Sequence, residues 1–267
     1  MMALALLGLA VGLVMGLAGA GGGIVAVPGL VGLLGWSMQQ AAPVALVAVA
    51  AGALVGTIDG LRRGLARWRA ALLMAGVGVA FSALGLATAR QVPEVWIKGV
   101  FSAVLLFTAY RLLASGNRTS EEQAELELFA RARIHADTGR FVWNAATASL
   151  LAGAGAAAGF ASGLLGVGGG FILVPLLHRF TELSIHGIVA TSLMVIALIS
   201  GGGAISALAQ GAQLPMPGIV VFAAATVAGV WLGRIVAQRL PAETIRRGFG
   251  LLLIAVAIHL AAQALGL

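Results

Sequence analysis

A membrane-spanning helix needs about 20 mainly apolar residues, and this chain is built almost entirely from stretches of that kind. Seven long apolar stretches occupy roughly 3–34, 41–61, 69–89, 95–114, 141–177, 187–209 and 216–238, with an eighth at 243–265. Their edges carry charges or turn residues: Arg62 and Arg63, Arg90 and Pro93, Arg239 and Pro241. Of the 267 residues, 60% are hydrophobic, 39 are glycine and 9% are charged. A soluble domain carries about 25% charge and must cover its surface with polar atoms. A cytosolic enzyme, a secreted domain and a disordered chain are therefore excluded. The chain reads as an all-α polytopic membrane protein. It has no cysteine, which excludes disulfides, thiolate metal sites and cysteine redox chemistry.

The net charge is +7, and all but one of the 16 basic residues are arginine. The arginines do not gather on one basic face. They sit in short clusters between apolar runs, the pattern of positively charged loops at a membrane edge rather than of a nucleic-acid partner. The N-terminus lacks a positive leader region, so a cleaved signal peptide is not expected.

Residues 115–140, SGNRTSEEQAELELFARARIHADTGR, break the apolar pattern. Ser120, Glu121 and Glu122 suit a helix N-terminus, and Arg131 and Arg133 suit its end. Leu126, Phe129 and Ile134 offer a weak apolar stripe. The segment reads either as a short surface or interfacial helix or as a solvated linker. It divides the chain into a membrane repeat at 1–114 and another at 141–267.

The two halves resemble each other. Residues 16–28 read GLAGAGGGIVAVP and residues 163–175 read GLLGVGGGFILVP, an offset of 147 with eight of thirteen positions identical. Leu46 then falls on Leu193 and Gly64 on Gly211; with one residue inserted, Pro93 falls on Pro241 and Phe101 on Phe249. Such internal repeats mark many transporter folds. Charge suggests their relation. Residues 60–69 hold four arginines while their counterparts at 207–216 hold none. The next pair reverses: 90–99 has Arg90 and Lys98 with Glu94, while 238–247 has Arg239, Arg246 and Arg247 with Glu243. Equivalent loops on opposite sides imply inverted repeats, with the linker and its Arg118, Arg131, Arg133 and Arg140 cytoplasmic.

Inversion demands an odd number of crossings per half. Three ordinary spans follow each glycine motif, so the motif segment must contribute none or two. As one straight helix its 32 residues in the first half would reach about 48 Å, well beyond a ~30 Å hydrocarbon core. The expectation is a helix that enters, breaks at the glycines and returns as a second short helix. Pro28 and Pro175 lie inside that second helix. Such a break is tolerated at membrane depth only when buried in protein or lining a cavity.

Each break also starts a helix, and a helix N-terminus presents free N–H groups and a positive dipole end to an anion. The candidate binding backbone is Gly19, Gly21, Gly22 and Gly23 with Gly166, Gly168, Gly169 and Gly170. The bland alternative is that these glycines only allow tight helix packing. The doubled G-x-G-G-G-x-x-x-x-P pattern resembles the sulfite exporter TauE/SafE family, also called the 4-toluene sulfonate uptake permease family. The linker and the length match as well, and the resemblance covers nearly the whole chain. It implies secondary transport of sulfur-containing anions such as sulfite, thiosulfate or organosulfonates across the bacterial inner membrane. Ala190-Thr191-Ser192-Leu193 looks like the family's A-T-S-L stretch, which implies that the Thr191 and Ser192 hydroxyls donate to anion oxygens. The aligned first-half stretch is Pro43-Val44-Ala45-Leu46, which lacks them.

Other polar residues in apolar surroundings are candidates for coupling or gating. Asp59 lies three and four residues before Arg62 and Arg63; helix pairing is the simpler reading and a proton-coupling carboxylate the other. His178 and His186 flank a loop with Arg179 and Glu182, an edge cluster rather than a metal site. His186 is the candidate for titration near neutral pH. His259 reads as an edge histidine or a relay, and Gln39 and Gln40 as edge or vestibule residues. Trp36, Trp68, Trp96, Trp143 and Trp231 suit interfacial anchoring.

No HExxH, Ser-His pair or paired carboxylates lie within the apolar runs, so an enzyme is not expected. No cofactor or metal is implied. The expected partners are a small sulfur-containing anion and the lipid bilayer, with a homo-oligomer open. The reading is alternating access around the glycine breaks. Export is favoured for an anion, since each charge gains about 2.3 kcal/mol per 100 mV in leaving a negative-inside cell. The alternatives are a carrier of another small organic anion and a membrane scaffold with no substrate.

Overall fold

The computed structural model describes residues 1–19, 22–114, 141–181, 183–211, 216–237 and 239–265. Among these the apolar stretches are all helical, and no strand is present. The first half contributes α1 (Met2–Ala18), α2 (Gly22–Leu34), α3 (Met38–Arg62), α4 (Trp68–Ala89) and α5 (Glu94–Ala114). The second contributes α6 (Ala145–Leu165), α7 (Gly170–Phe180), α8 (Ile185–Ala209), α9 (Met216–Ala237) and α10 (Ala242–Leu265). Six of them, α3, α4, α6, α8, α9 and α10, are long and apolar enough to cross a membrane. The apolar part of α5, Val95–Tyr110, is shorter. The proposed linker helix at 115–140 lies outside the described residues, as does Gly21.

Local chemistry sets the ends. Ser37 and Gln40 form a reciprocal capping box at the start of α3. The Asn144 side chain accepts from the Thr147 N–H at 2.6 Å to start α6, and Ser184 accepts from Gly187 N–H at 3.2 Å to start α8. The helix ends at the two breaks are glycine-dependent. Gly19 closes α1 at φ 77° and Gly166 closes α6 at φ 70°, in the left-handed region that costs other residues strain. Their N–H groups donate to the Met15 and Ser162 carbonyls at 2.9 and 2.8 Å. These are the same positions in the two repeats, 147 residues apart.

Both broken segments fold back on themselves. Gly22 packs on Met15 and Gly29 on Leu7, so α2 runs antiparallel along α1. Gly169 abuts Ala158, and Leu177 and Phe180 share a groove with Leu150 and Ala154, so α7 does the same along α6. Tertiary pairing then exchanges the halves. The principal neighbour of α1 is α9, and that of α6 is α4. Both pairs run parallel: Gly8 and Gly16 face Phe222 and Val230, while Met74 and Ser82 face Gly155 and Gly163. A methyl group on Gly12 would strike the Thr226 carbonyl, and one on Gly159 the Gly78 carbonyl. Small residues let backbones approach closely where lipid offers no hydrophobic drive to association.

Counterpart helices meet head to tail. On α3 and α8, Gly60 faces Ala190 and Leu46 faces Gly203. On α5 and α10, the Ser102 hydroxyl donates to the Ala257 carbonyl at 2.8 Å and Leu113 packs on Gly250. The helix directions that follow gather Arg62, Arg63, Arg67, Arg69, Arg179, Arg234, Arg239, Arg246 and Arg247 at one end of the bundle. Arg90 and Lys98 stand at the other. Large side chains such as Trp96, Phe107, Tyr110, Ile205, Trp231 and Leu251 are exposed around the outside, a surface suited to lipid.

Candidate functional site

The two glycine breaks meet inside the bundle. A methyl group on Gly23 would run into the Val167 carbonyl, so the start of α2 rests directly on the second break. Gly166 faces Ala42 and Val27, Gly168 faces Val49 and Ser200, and Gly19 faces Val189. Ala42 and Val189 are repeat counterparts, so each break docks on the same place of the opposite half. Gly22, Gly23, Gly166, Gly168, Gly169 and Gly170 are all buried.

The walls differ although the backbones match. Beside the first break lies a cavity of about 30 Å³, lined by Met15, Gly16, Gly19, Gly56, Val189, Leu193, Val230 and Arg234. Their counterparts at the second break, at offsets of 147 or 148, are Ser162, Gly163, Gly166, Gly203, Ala42, Leu46, Ser82 and Leu86. Ala53 behind the first break corresponds to Ser200 behind the second. Met15, Ala53 and Val230 are therefore replaced by three serines, and Arg234 by a leucine. The three serines are at most 1% exposed. None of their hydroxyls has a hydrogen-bond partner among the described residues. The Ser200 Oγ sits against Gly168, and the Ser82 Oγ against Gly203, one turn further along α8 from Ser200.

Arg234 gives the first break a cationic mouth. Its guanidinium donates to Asp59 Oδ2 at 2.9 Å, joining α9 to α3. Asp59 Oδ1 accepts from Arg63 at 2.9 Å. The carboxylate thus has the expected helix partner in Arg63, and a second from another helix.

The other residues singled out in the sequence fall in different places. Thr191 is buried on α8 between Val189 and Leu193, which line the cavity at the first break. Its hydroxyl oxygen accepts the Arg67 backbone N–H at 3.0 Å, tying α8 to the start of α4. The Ser192 hydroxyl is buried without a partner among the described residues. His186 is exposed on the first turn of α8. Gln40 is engaged in the capping box and Gln39 is exposed, so neither lies at the breaks. His259 is exposed beside Gln263, 3.0 Å away. No three metal-ligating side chains gather among the described residues.

Ser82, Ser162, Ser200 and Arg234 were not singled out by motif or spacing. A signal for them does exist in the chain: each is polar where its repeat counterpart is apolar. Using it requires knowing which of the many small hydroxyl residues face the breaks.

A family model described as "Sulfite exporter TauE/SafE" matches residues 4–260. Two curated proteins of Xylella fastidiosa, both named "Probable membrane transporter protein", are similar over 254 residues. One, from strain Temecula1, is 29% identical and the other, from strain 9a5c, 30%; each alignment covers 93% of this chain and 90% of the relative. No solved structure matches the chain significantly.

Proposed function

Since the chain belongs to the TauE/SafE sulfite exporter family, a family of membrane transporters, we propose that it exports small sulfur-containing anions, such as sulfite, thiosulfate or organosulfonates, by alternating access. The observation that carries the reading is the contact of Gly23 with Val167, which joins two helix-starting breaks into one buried centre. Helix N-termini there offer N–H donors and positive dipole ends to an anion. Broken helices meeting near the bilayer midplane are how many secondary transporters hold substrate.

The halves are read as inverted repeats, each a re-entrant broken helix followed by three spans. Support comes from direction. Counterparts related by an axis along the membrane normal would run parallel, whereas α3 and α8, like α5 and α10, run antiparallel. The arginine-rich end is read as cytoplasmic, which puts linker 115–140 on that side of a bacterial inner membrane. An anion arriving there meets Arg234 at the mouth of the first break, where Asp59 is the internal competitor for the guanidinium. Rocking of one half against the other would then open the second break to the opposite side, with outward movement assisted by the membrane potential. The glycines and Ser192 are kept as candidate site residues, and Thr191, whose hydroxyl accepts the Arg67 N–H, is read as a tie between α8 and α4; Asp59 is kept as a gating residue through Arg234. His186, Gln39 and Gln40, exposed near helix ends, are kept as candidates for gating.

The test is flux of labelled sulfite and thiosulfate in proteoliposomes, beside a carboxylate control and the variants Gly22→Leu and Gly169→Leu, with folding checked by gel filtration. Saturable sulfur-anion flux, lost in both variants, is expected. Flux of the carboxylate alone would overturn the substrate, and no flux by folded protein would favour a scaffold.

A further inference from the structure

We infer that the transported oxyanion is not shared evenly between the two breaks but is held on the side of the second, by the hydroxyls of Ser82, Ser162 and Ser200 acting as neutral donors. The inference rests on the anion-transport reading above and locates its site.

Hydroxyls in apolar helices normally donate back to the carbonyl four residues earlier. Thr57, Thr88, Thr108, Thr181 and Thr226 all do so in this chain, at 2.7–2.9 Å. The three serines do not. Five buried hydroxyls have no partner among the described residues: Thr147, Ser192 and these three serines, of which Ser162 and Ser200 are as buried as Thr226 and Ser82 is 1% exposed. The three serines are the ones that share the surroundings of the second break. A buried polar group without a partner is destabilising. The fold does not require polar groups there, since Met15, Ala53 and Val230 fill the same positions at the first break. Three helices, α4, α6 and α8, thus each carry an unpartnered donor to the region around the second break. Gly169 and Gly170 begin α7 at the same place and add a helix N-terminus.

The chemistry fits an oxyanion with several acceptor oxygens. Each hydroxyl supplies one proton, the α7 backbone supplies further N–H donors, and Leu86 replaces the cation found at Arg234. Capture and holding are then divided: a guanidinium draws the anion to one break, and neutral donors hold it at the other. Without a full ion pair to dissolve, the anion can leave the second side quickly.

The experiment uses the full chain in proteoliposomes, with labelled thiosulfate and sulfite as probes. Ser82→Ala, Ser162→Ala, Ser200→Ala and the triple variant are compared with Ser102→Ala, which removes a buried hydroxyl already satisfied by the Ala257 carbonyl. Each serine change at the break is expected to raise KM about tenfold, the size of one lost hydrogen bond to a charged group, with the triple variant close to inactive. The apo thermal midpoint should stay level or rise, and its increase with added thiosulfate should disappear. Unchanged KM in the triple variant, with wild-type flux intact, would overturn the serine site while leaving the transporter reading standing. A falling apo midpoint with unchanged KM would assign the serines a structural role. A changed cation dependence at constant anion KM would make the site one for a cation and overturn the inference equally. If folded wild type carries only the carboxylate control, the same variants are read on that flux, and the sulfur-anion reading alone fails. Absence of all flux would overturn both.

Discussion

The two glycine breaks have the same backbone and different walls, and the difference separates what a repeat must keep from what it can vary. Gly19 and Gly166 turn the chain in the same way, and Val189 and Ala42 receive them at equivalent places. These features are geometric, and losing either would misplace a helix. Around them the side chains diverge. The first break has Met15, Ala53 and Val230 with Arg234 at its mouth; the second has Ser162, Ser200 and Ser82 with Leu86. A repeated backbone thus carries an unlike lining.

The most damaging way to break the comparison is to separate the breaks. Gly23→Val places a side chain where the Val167 carbonyl lies. Overpacking of this kind costs about 1–3 kcal/mol or more, and flux should fall at least about a hundredfold if the contact defines the site. Near-normal flux would show that the breaks need not touch.

The second test strikes the unlike mouths. Arg234→Gln should lower kcat/KM for thiosulfate by about ten- to a hundredfold, the range of a lost charged hydrogen bond, whereas Leu86→Ala at the counterpart should change it by less than about threefold. The exchange Asp59→Arg with Arg234→Asp sharpens this further. It restores the bridge between α3 and α9, so recovered transport would make the pair merely structural. Continued loss would leave Arg234 with a role toward the anion.

A third, smaller effect runs the opposite way. Met15→Ser with Ala53→Ser copies the polar wall onto the first break. Two buried hydroxyls without assigned partners should cost about 1–3 kcal/mol each, read as a lower thermal midpoint without a lower KM. A gain in affinity would mean that either break can hold the substrate. Smallest is Thr191→Val. It removes the acceptor of the Arg67 N–H and should cost about 1 kcal/mol, with KM unchanged. A tenfold rise in KM would return Thr191 to the binding site.

Much of this architecture was legible in the residues. Apolar stretches of spanning length announced the helices, because lipid offers no partner to an unpaired backbone and leaves helices as the economical solution for such runs. The run at 3–34 was too long for one span and splits at Gly19; the run at 141–177 splits at Gly166. Asp59 was expected to find a partner on its own helix, and Arg63 is that partner. Its cross-helix partner Arg234 was hidden among other edge arginines, 175 residues away. Thr191 and Ser192 stand out as a motif in the sequence, but only the register of α8 shows that the Thr191 hydroxyl accepts the Arg67 N–H. Gln40 caps α3 together with Ser37, a role that its spacing from Ser37 could have revealed.

The sequence by itself determined that this protein is helical and membrane-embedded, that it is doubled, and that each half breaks at a glycine run. Those outcomes follow from hydrophobicity, periodic repetition and the left-handed turns that glycine permits, all of which act over short stretches of chain. Only the tertiary structure decided that the breaks touch, that α1 pairs with α9 and α6 with α4, and that three ordinary serines stand around one of them without partners among the described residues. The physical reason is that helix pairing within lipid depends on which small surfaces interlock. That choice is made between segments more than a hundred residues apart, and no local pattern records it.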